Sequence, residues 1–118
     1  MSVQLTEDVR ELLAAGVGQW DGGPAKPTDE LAVALGFADV SDFYAETRRL
    51  GELLRERAAP SSSDAVRALV ATEIAFASDV FGAGVDWETV TGLSDEETIS
   101  ILRRLQRKLV GDYGSLYG

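Results

Sequence analysis

The stretch Asp64–Phe81, DAVRALVATEIAFASDVF, is the longest in the chain that keeps apolar residues at helical spacing. On a wheel of about 100° per residue, Asp64, Arg67, Thr72, Ser78 and Asp79 gather into one narrow polar arc, and the rest is apolar. A helix of that kind touches neighbours on most sides. It predicts an all-α fold, a small bundle of about four to five helices around a central helix 64–81.

Glu73 interrupts the apolar arc, beside Val66, Leu69, Val70, Phe76, Ala77 and Val80. An unpaired carboxylate there costs several kcal/mol or takes up a proton. The expectation is an internal partner: Arg48, Arg49, Arg103, Arg104, a Trp indole N–H or a tyrosine hydroxyl. A ligand-contacting or proton-handling carboxylate, and with it a small enzyme built on Glu73, is the functional alternative. A helix turned so that Glu73 reaches solvent is the third arrangement.

The chain contains neither histidine nor cysteine. A di-metal carboxylate site of the ferritin kind needs Glu-x-x-His pairs, so that chemistry is excluded, as are disulfides, thiolate metal sites and cysteine nucleophiles. Asp79, Asp86 and Glu88 lack the dense carboxylate loop and terminal Glu of a calcium-binding helix-loop-helix. The Gly16-x-Gly18 pair follows no strand and is not a dinucleotide fingerprint. No nucleophile-plus-base spacing is visible, so no catalytic residue, cofactor or metal site is assigned, and an enzyme is not expected.

In chain order, Thr6 caps a first helix, Glu7–Ala15, with Val9, Leu12 and Leu13 inward and a stop at Gly16. Residues 16–27 read as an irregular Gly/Pro loop anchored by Trp20. Thr28 caps Asp29–Leu35, ended by Gly36. Ser41 or Asp39 caps about Asp42–Ala58, whose core seam is Phe43, Thr47, Leu50 and Leu54, with Gly51 placed to admit a neighbouring helix. Pro60 and Ser61–Ser63 form a joint, but neither side of it holds enough residues for its own core, so residues 1–118 are expected to make a single domain. Asp86–Val90 suggests one helical turn around Trp87. Ser94-Asp95-Glu96-Glu97 is a capping box opening a last helix with Thr98, Ile99, Leu102, Leu105 and Leu109 inward, ended by Gly111. Residues 111–118 form a short tail, with Tyr113, Leu116 and Tyr117 as candidates to fold back. Short segments near Val3–Leu5 or Val85–Val90 could pair locally without building a sheet.

The run Glu30-Leu31-Ala32-Val33-Ala34-Leu35-Gly36-Phe37-Ala38-Asp39-Val40-Ser41-Asp42-Phe43 resembles a helix-turn-helix, particularly the second such unit of AraC-type regulators. Ala32 and Gly36 take the tight-packing places and Phe43 the inward place of the recognition helix. The resemblance implies DNA binding through residues 29–50, with Arg48 and Arg49 near the phosphates. Asp39, Asp42 and Glu46, however, crowd the end that a recognition helix presents to the groove.

Twenty acidic against eleven basic side chains leave a formal charge of −9. That field opposes nucleic acid and favours basic proteins. The expected function is therefore a non-catalytic acidic helical module, of immunity, antitoxin or adaptor character, that binds another protein. Its candidate contacts are Glu7, Asp8, Glu11, Asp86, Glu88, Asp95 and Glu96, with Trp20 or Trp87 as aromatic anchors if exposed. Arg103, Arg104, Arg107 and Lys108 make an alternative basic patch. Spacing leaves open whether the face of Thr98–Leu109 closes within the chain or on a second copy, a homodimer. The start MSVQLTEDVRELL lacks a signal-peptide pattern, and no stretch reads as a membrane span. Together with the missing cysteines and nine arginines against two lysines, this suits a bacterial cytoplasm.

Overall fold

Five short polar side chains stand just before five helices, and four of them cap by accepting a backbone N–H. A computed structural model describes residues 2–23, 25–78 and 86–117, with the backbone alone over 110–117. The helices are α1 (Glu7–Gly18), α2 (Asp29–Ala34), α3 (Val40–Arg55), α4 (Ser62–Ala77), α5 (Trp87–Thr91) and α6 (Asp95–Tyr117). Thr28 Oγ1 accepts from Leu31 N–H at 3.1 Å, Asp39 Oδ1 from Asp42 N–H at 2.9 Å, Ser61 Oγ from Asp64 N–H at 3.0 Å, and Ser94 Oγ from Glu97 N–H at 3.1 Å. Each bond satisfies a donor that the first helical turn leaves without a carbonyl. Thr6 differs: its hydroxyl donates to Asp8 Oδ1 at 2.6 Å, and that carboxylate takes the Val9 N–H.

The fold is all-α. Among the described residues there is no strand, only a bridge between Ser2 and Ser61 flanking a 2.8 Å bond from Val3 N–H to the Pro60 carbonyl. Local pairing near Val3 thus occurs; Val85 lies outside the described residues, and residues 87–91 are helical.

α4 packs on α1, α3 and α6, as a central helix should, and α1 shares the centre by packing on α3, α4 and α6. The rotation of α4 differs from the wheel. Its buried face is Ala65, Ala68, Leu69, Ala71, Thr72 and Ala75, so Thr72, expected in the polar arc, is fully buried. Val66, Val70 and Ile74 are only half-buried. The reason is size: a face of Ala and Thr lets another helix axis come close. A Cβ on Gly16 of α1 would fall 2.3 Å from Thr72 Oγ1 and 2.6 Å from its Cβ. Gly16 therefore does not stop α1, which continues to Gly18; it is the point of contact.

Trp20 anchors the segment after α1, as expected, and it does so from inside. It is 1 % exposed, its Nε1–H donates to the Ala71 carbonyl at 3.0 Å, and its ring meets Phe43 edge-on at 5.0 Å. The α3 seam of Phe43, Thr47, Leu50 and Leu54 is buried throughout; full burial of each such large side chain is worth about 1.5–3 kcal/mol. Asp39, rather than Ser41, caps α3, which ends at Arg55 instead of Ala58. There Arg57 takes a left-handed φ of 60°, Arg57 N–H bonds to Leu54 O and Ala58 N–H to Leu53 O. That pattern is a Schellman stop with arginine in the place usually held by glycine. Glu7 holds the Arg57 guanidinium from α1 at 2.8 Å, and Arg10 donates to the Leu54 and Ala58 carbonyls.

α4 begins at Ser62, inside the expected joint, and ends at Ala77, with Ser78 extended. Asp79, Val80 and Phe81, the expected last turn, lie outside the described residues, as do Gly82 and Gly84. α6 runs past Gly111 to Tyr117, so residues 111–117 are helix and not a tail. The fold-back of Tyr113, Leu116 and Tyr117 lies outside the described side chains. On α6 the inward set is Thr98, Ile101, Leu102, Leu105 and Leu109, whereas Ile99, expected inward, is 44 % exposed. Ile99 sits roughly 100° around the helix from Thr98, off the buried stripe. No helix among the described residues is long and apolar enough to cross a membrane.

Candidate interaction surface

α5 and α6 form a tight corner because Trp87 is used internally. Its ring is fully buried and meets Phe76 edge-on at 5.4 Å. Nε1–H donates to Thr98 Oγ1 at 2.8 Å, and that hydroxyl in turn donates to the Ser94 carbonyl at 2.8 Å. Thr91 Oγ1 donates to the Trp87 carbonyl, and Gly92, at φ 76°, closes α5 in a left-handed conformation that a side chain would strain. The Trp87 N–H, the Thr98 hydroxyl and the Thr91 hydroxyl are all hydrogen-bonded, so the corner is tied together from within.

Outward, the same corner presents Asp86 and Glu88 from α5 and Asp95 and Glu96 from α6, all exposed. Val90 and Ile99, both 44 % exposed, lie on the same two helices. None of the four carboxylates forms an ion pair or hydrogen bond among the described residues. Asp95 and Glu96 sit in the first turn of α6, where the helix dipole favours negative charge without a counter-ion.

The second acidic set is placed differently. Glu7 pairs with Arg57 and Asp8 with Arg104, and each carboxyl is held below the usual range, first by the hydrogen bond from its arginine. Glu11 is exposed beside them. The described contacts join this set to α6 at Arg104 and not to Asp86, Glu88, Asp95 or Glu96. Trp20 and Trp87 are buried, at 1 % and 0 % exposure, so neither is an exposed anchor. The basic patch also divides. Arg104 is taken by Asp8, and Lys108 donates to the Gln4 carbonyl, while Arg103 and Arg107 remain exposed without an ion pair among the described residues.

Glu73 does not find the expected internal partner: no hydrogen bond or ion pair reaches it among the described residues. Arg48 faces Asp21, Arg49 faces Glu46 and Asp64, and Arg104 faces Asp8. Both indoles are occupied elsewhere. With Ala and Thr turned inward, Glu73 moves to the half-buried flank of α4, where burial pushes its carboxyl above the ordinary value. No group of three or more acids, His or Cys that could hold a metal occurs among the described residues.

Sequence reasoning missed a groove between the α2–α3 turn and α4. It has a volume of about 280 Å³, and its apolar walls include Leu35, Phe37, Phe43, Leu50, Val66 and Val70. Across its rim runs a chain of charges: Arg67 Nη1 donates to Glu46 at 2.8 Å, Arg49 donates to Glu46 at 2.6 and 3.1 Å, and Arg49 Nη2 reaches Asp64 at 2.6 Å. The available signal was a second apolar stripe, Val66, Val70 and Ile74, opposite the alanine face.

α2 and α3 do meet as two helices about a tight turn. Ala32 and Phe43 are buried and Gly36 has φ 94°. The acids flanking the α2–α3 turn act locally: Asp29 at the start of α2 accepts from Val40 N–H, Asp39 from Asp42 N–H, and Asp42 from Ala38 N–H.

No protein-family model matches the chain, and no curated protein or solved structure compared with it matches either.

Proposed function

We propose that this chain is a non-catalytic interaction module of the bacterial cytoplasm that receives a basic protein segment on the α5–α6 corner. One observation carries the reading. Glu7, Asp8, Glu46 and Asp64 each hold an arginine of the same chain, whereas Asp86, Glu88, Asp95 and Glu96 hold none among the described residues. Exposed Val90 and Ile99 supply apolar contact amid those charges, and the overall charge of −9 steers a cationic partner inward. The hydrogen-bonded Trp87–Thr98–Ser94 relay keeps the surface preorganised, which lowers the ordering cost of binding.

The test is parallel affinity capture from native extract with the wild type and with a Glu88→Lys, Asp95→Lys, Glu96→Lys variant. A protein retained after nuclease treatment, lost as salt rises and absent from the variant supports the reading. A capture profile identical for both proteins overturns it.

The packing of Ala32, Gly36 and Phe43 favours a second reading, DNA binding through residues 29–50. Duplex DNA retained at physiological salt and lost in an Arg48→Glu, Arg49→Glu variant would establish it; no retention would remove it.

A further inference from the structure

We propose that the groove between the α2–α3 turn and α4 binds a small amphipathic carboxylate, its apolar body lying against Phe37, Val66 and Val70 and its carboxylate on Arg67. This site is separate from the α5–α6 corner and does not depend on the function assigned there. At about 280 Å³ the groove approaches the ~300–1,000 Å³ range of small-molecule sites, and the polar side chains on its lining are only Glu46, Thr47 and Arg67. A largely apolar wall with few polar groups is the usual composition of such sites.

The choice of an anion follows from how the rim charges are shared. Glu46 is held twice, by Arg49 through Nε and Nη2 and by Arg67 through Nη1 alone. Its carboxyl is kept below the usual range chiefly by Arg49 and less by Arg67. Arg49 is fixed in turn by Asp64. Were Arg67 to turn to a ligand, Glu46 would keep its bidentate partner and no charge would be stranded. A cation would find the one carboxylate of the lining, Glu46, already held by two arginines. Arg67 is half-exposed, has one hydrogen-bonded partner among the described residues, and lies 5.7 Å from the Phe37 ring centroid, beside the apolar wall. Its remaining N–H donors suit a carboxylate. Thr47 does not compete, since its hydroxyl donates to the Tyr44 carbonyl at 3.1 Å.

The net charge of −9 works against any anion, so affinity must come from short-range contact and apolar burial, giving a Kd on the order of 1 mM or tighter. The experiment uses the full chain with octanoate and its uncharged counterpart octanamide, titrated by two-dimensional NMR. Octanoate is expected to shift the resonances of Phe37, Val66 and Val70 and to bind about tenfold tighter than octanamide. Arg67→Gln should remove that tenfold preference, and Val70→Trp, which fills the groove, should abolish binding of both probes. Circular dichroism and thermal melts confirm that each variant is folded. Equal binding of the two probes, a preference that persists in Arg67→Gln, shifts confined to other surfaces, or no binding to the wild type at several millimolar would each overturn the proposal.

Discussion

The two sides of α4 are built on opposite terms. One side is Ala65, Ala68, Thr72 and Ala75, small and almost wholly buried, with Thr72 set against Gly16 of α1. Towards α3 the helix presents Val66 and Val70, which are larger, more apolar and left half-exposed along the groove. Hydrophobicity alone would bury the second face and open the first. What decides is distance. An alanine face allows α1 to approach until Gly16 touches Thr72, and the many close contacts so gained outweigh the smaller apolar area of each residue. On the other side, bulky side chains keep α3 away, and a ladder of ion pairs spans the gap.

Gly16→Ala attacks the closed side and should give the largest effect. The new methyl has no room, and Thr72→Ala would relieve only part of the clash, because Thr72 Cβ itself lies 2.6 Å away. A loss of about 2–3 kcal/mol is expected from urea unfolding, despite the better helix propensity of alanine. A neutral result would mean that the seam is loose and the contrast false.

Glu46→Gln tests the open side, with an expected loss of about 1 kcal/mol because its partners remain solvated. The sign of its pH dependence is fixed. Glu46 has its folded pKa lowered, by Arg49 first and then Arg67, so its contribution is present above the ordinary carboxylate value and is lost as pH falls through the lowered one. Thermal melts of the two proteins should therefore differ at pH 7 and converge in acid.

Gly51 sharpens the comparison, because it too is a buried helical glycine. The three atoms nearest its Cβ would all belong to the flexible end of Arg55, the first at 3.3 Å, and not to a neighbouring helix as the expected close approach requires. Gly51→Ala should stabilise by about 0.5–1 kcal/mol, read as a raised midpoint of denaturation. The smallest effect belongs to Glu73 on the flank. Its folded pKa is raised by burial, so its ionisation costs nothing below the unfolded value and destabilises as pH rises through the folded one. Glu73→Gln should gain less than about 1 kcal/mol at pH 7, and that gain should vanish below about pH 4.

Local chemistry was legible. The caps at Thr28, Asp39 and Ser94, the seam of α3, the helical class and the left-handed turn at Gly36 depend on residues within a few positions of one another, and the cap at Ser61, hidden in the expected joint, is of the same local kind. The misreadings share another cause. Gly16 looked like a terminator because its partner Thr72 lies 56 positions away. Thr72 looked like surface because a wheel weighs polarity and not size. The same weighting put Ile99 inward and Glu73 in the core. Of the candidate site, the carboxylates were named, but which would be neutralised depended on Glu7 meeting Arg57 and Asp8 meeting Arg104, encounters across 50 and 96 positions.

That last separation bears on how the molecule comes into being. α1 leaves the ribosome well before the arginine that meets Asp8, which follows 96 positions later together with the Leu105 and Lys108 side chains that line the cleft beside Val9. At about 5–20 residues per second the interval lasts roughly 5–20 s. During it the Val9 side of α1 waits uncovered where α6 will pack, so the first half of the bundle is held together before its last wall arrives.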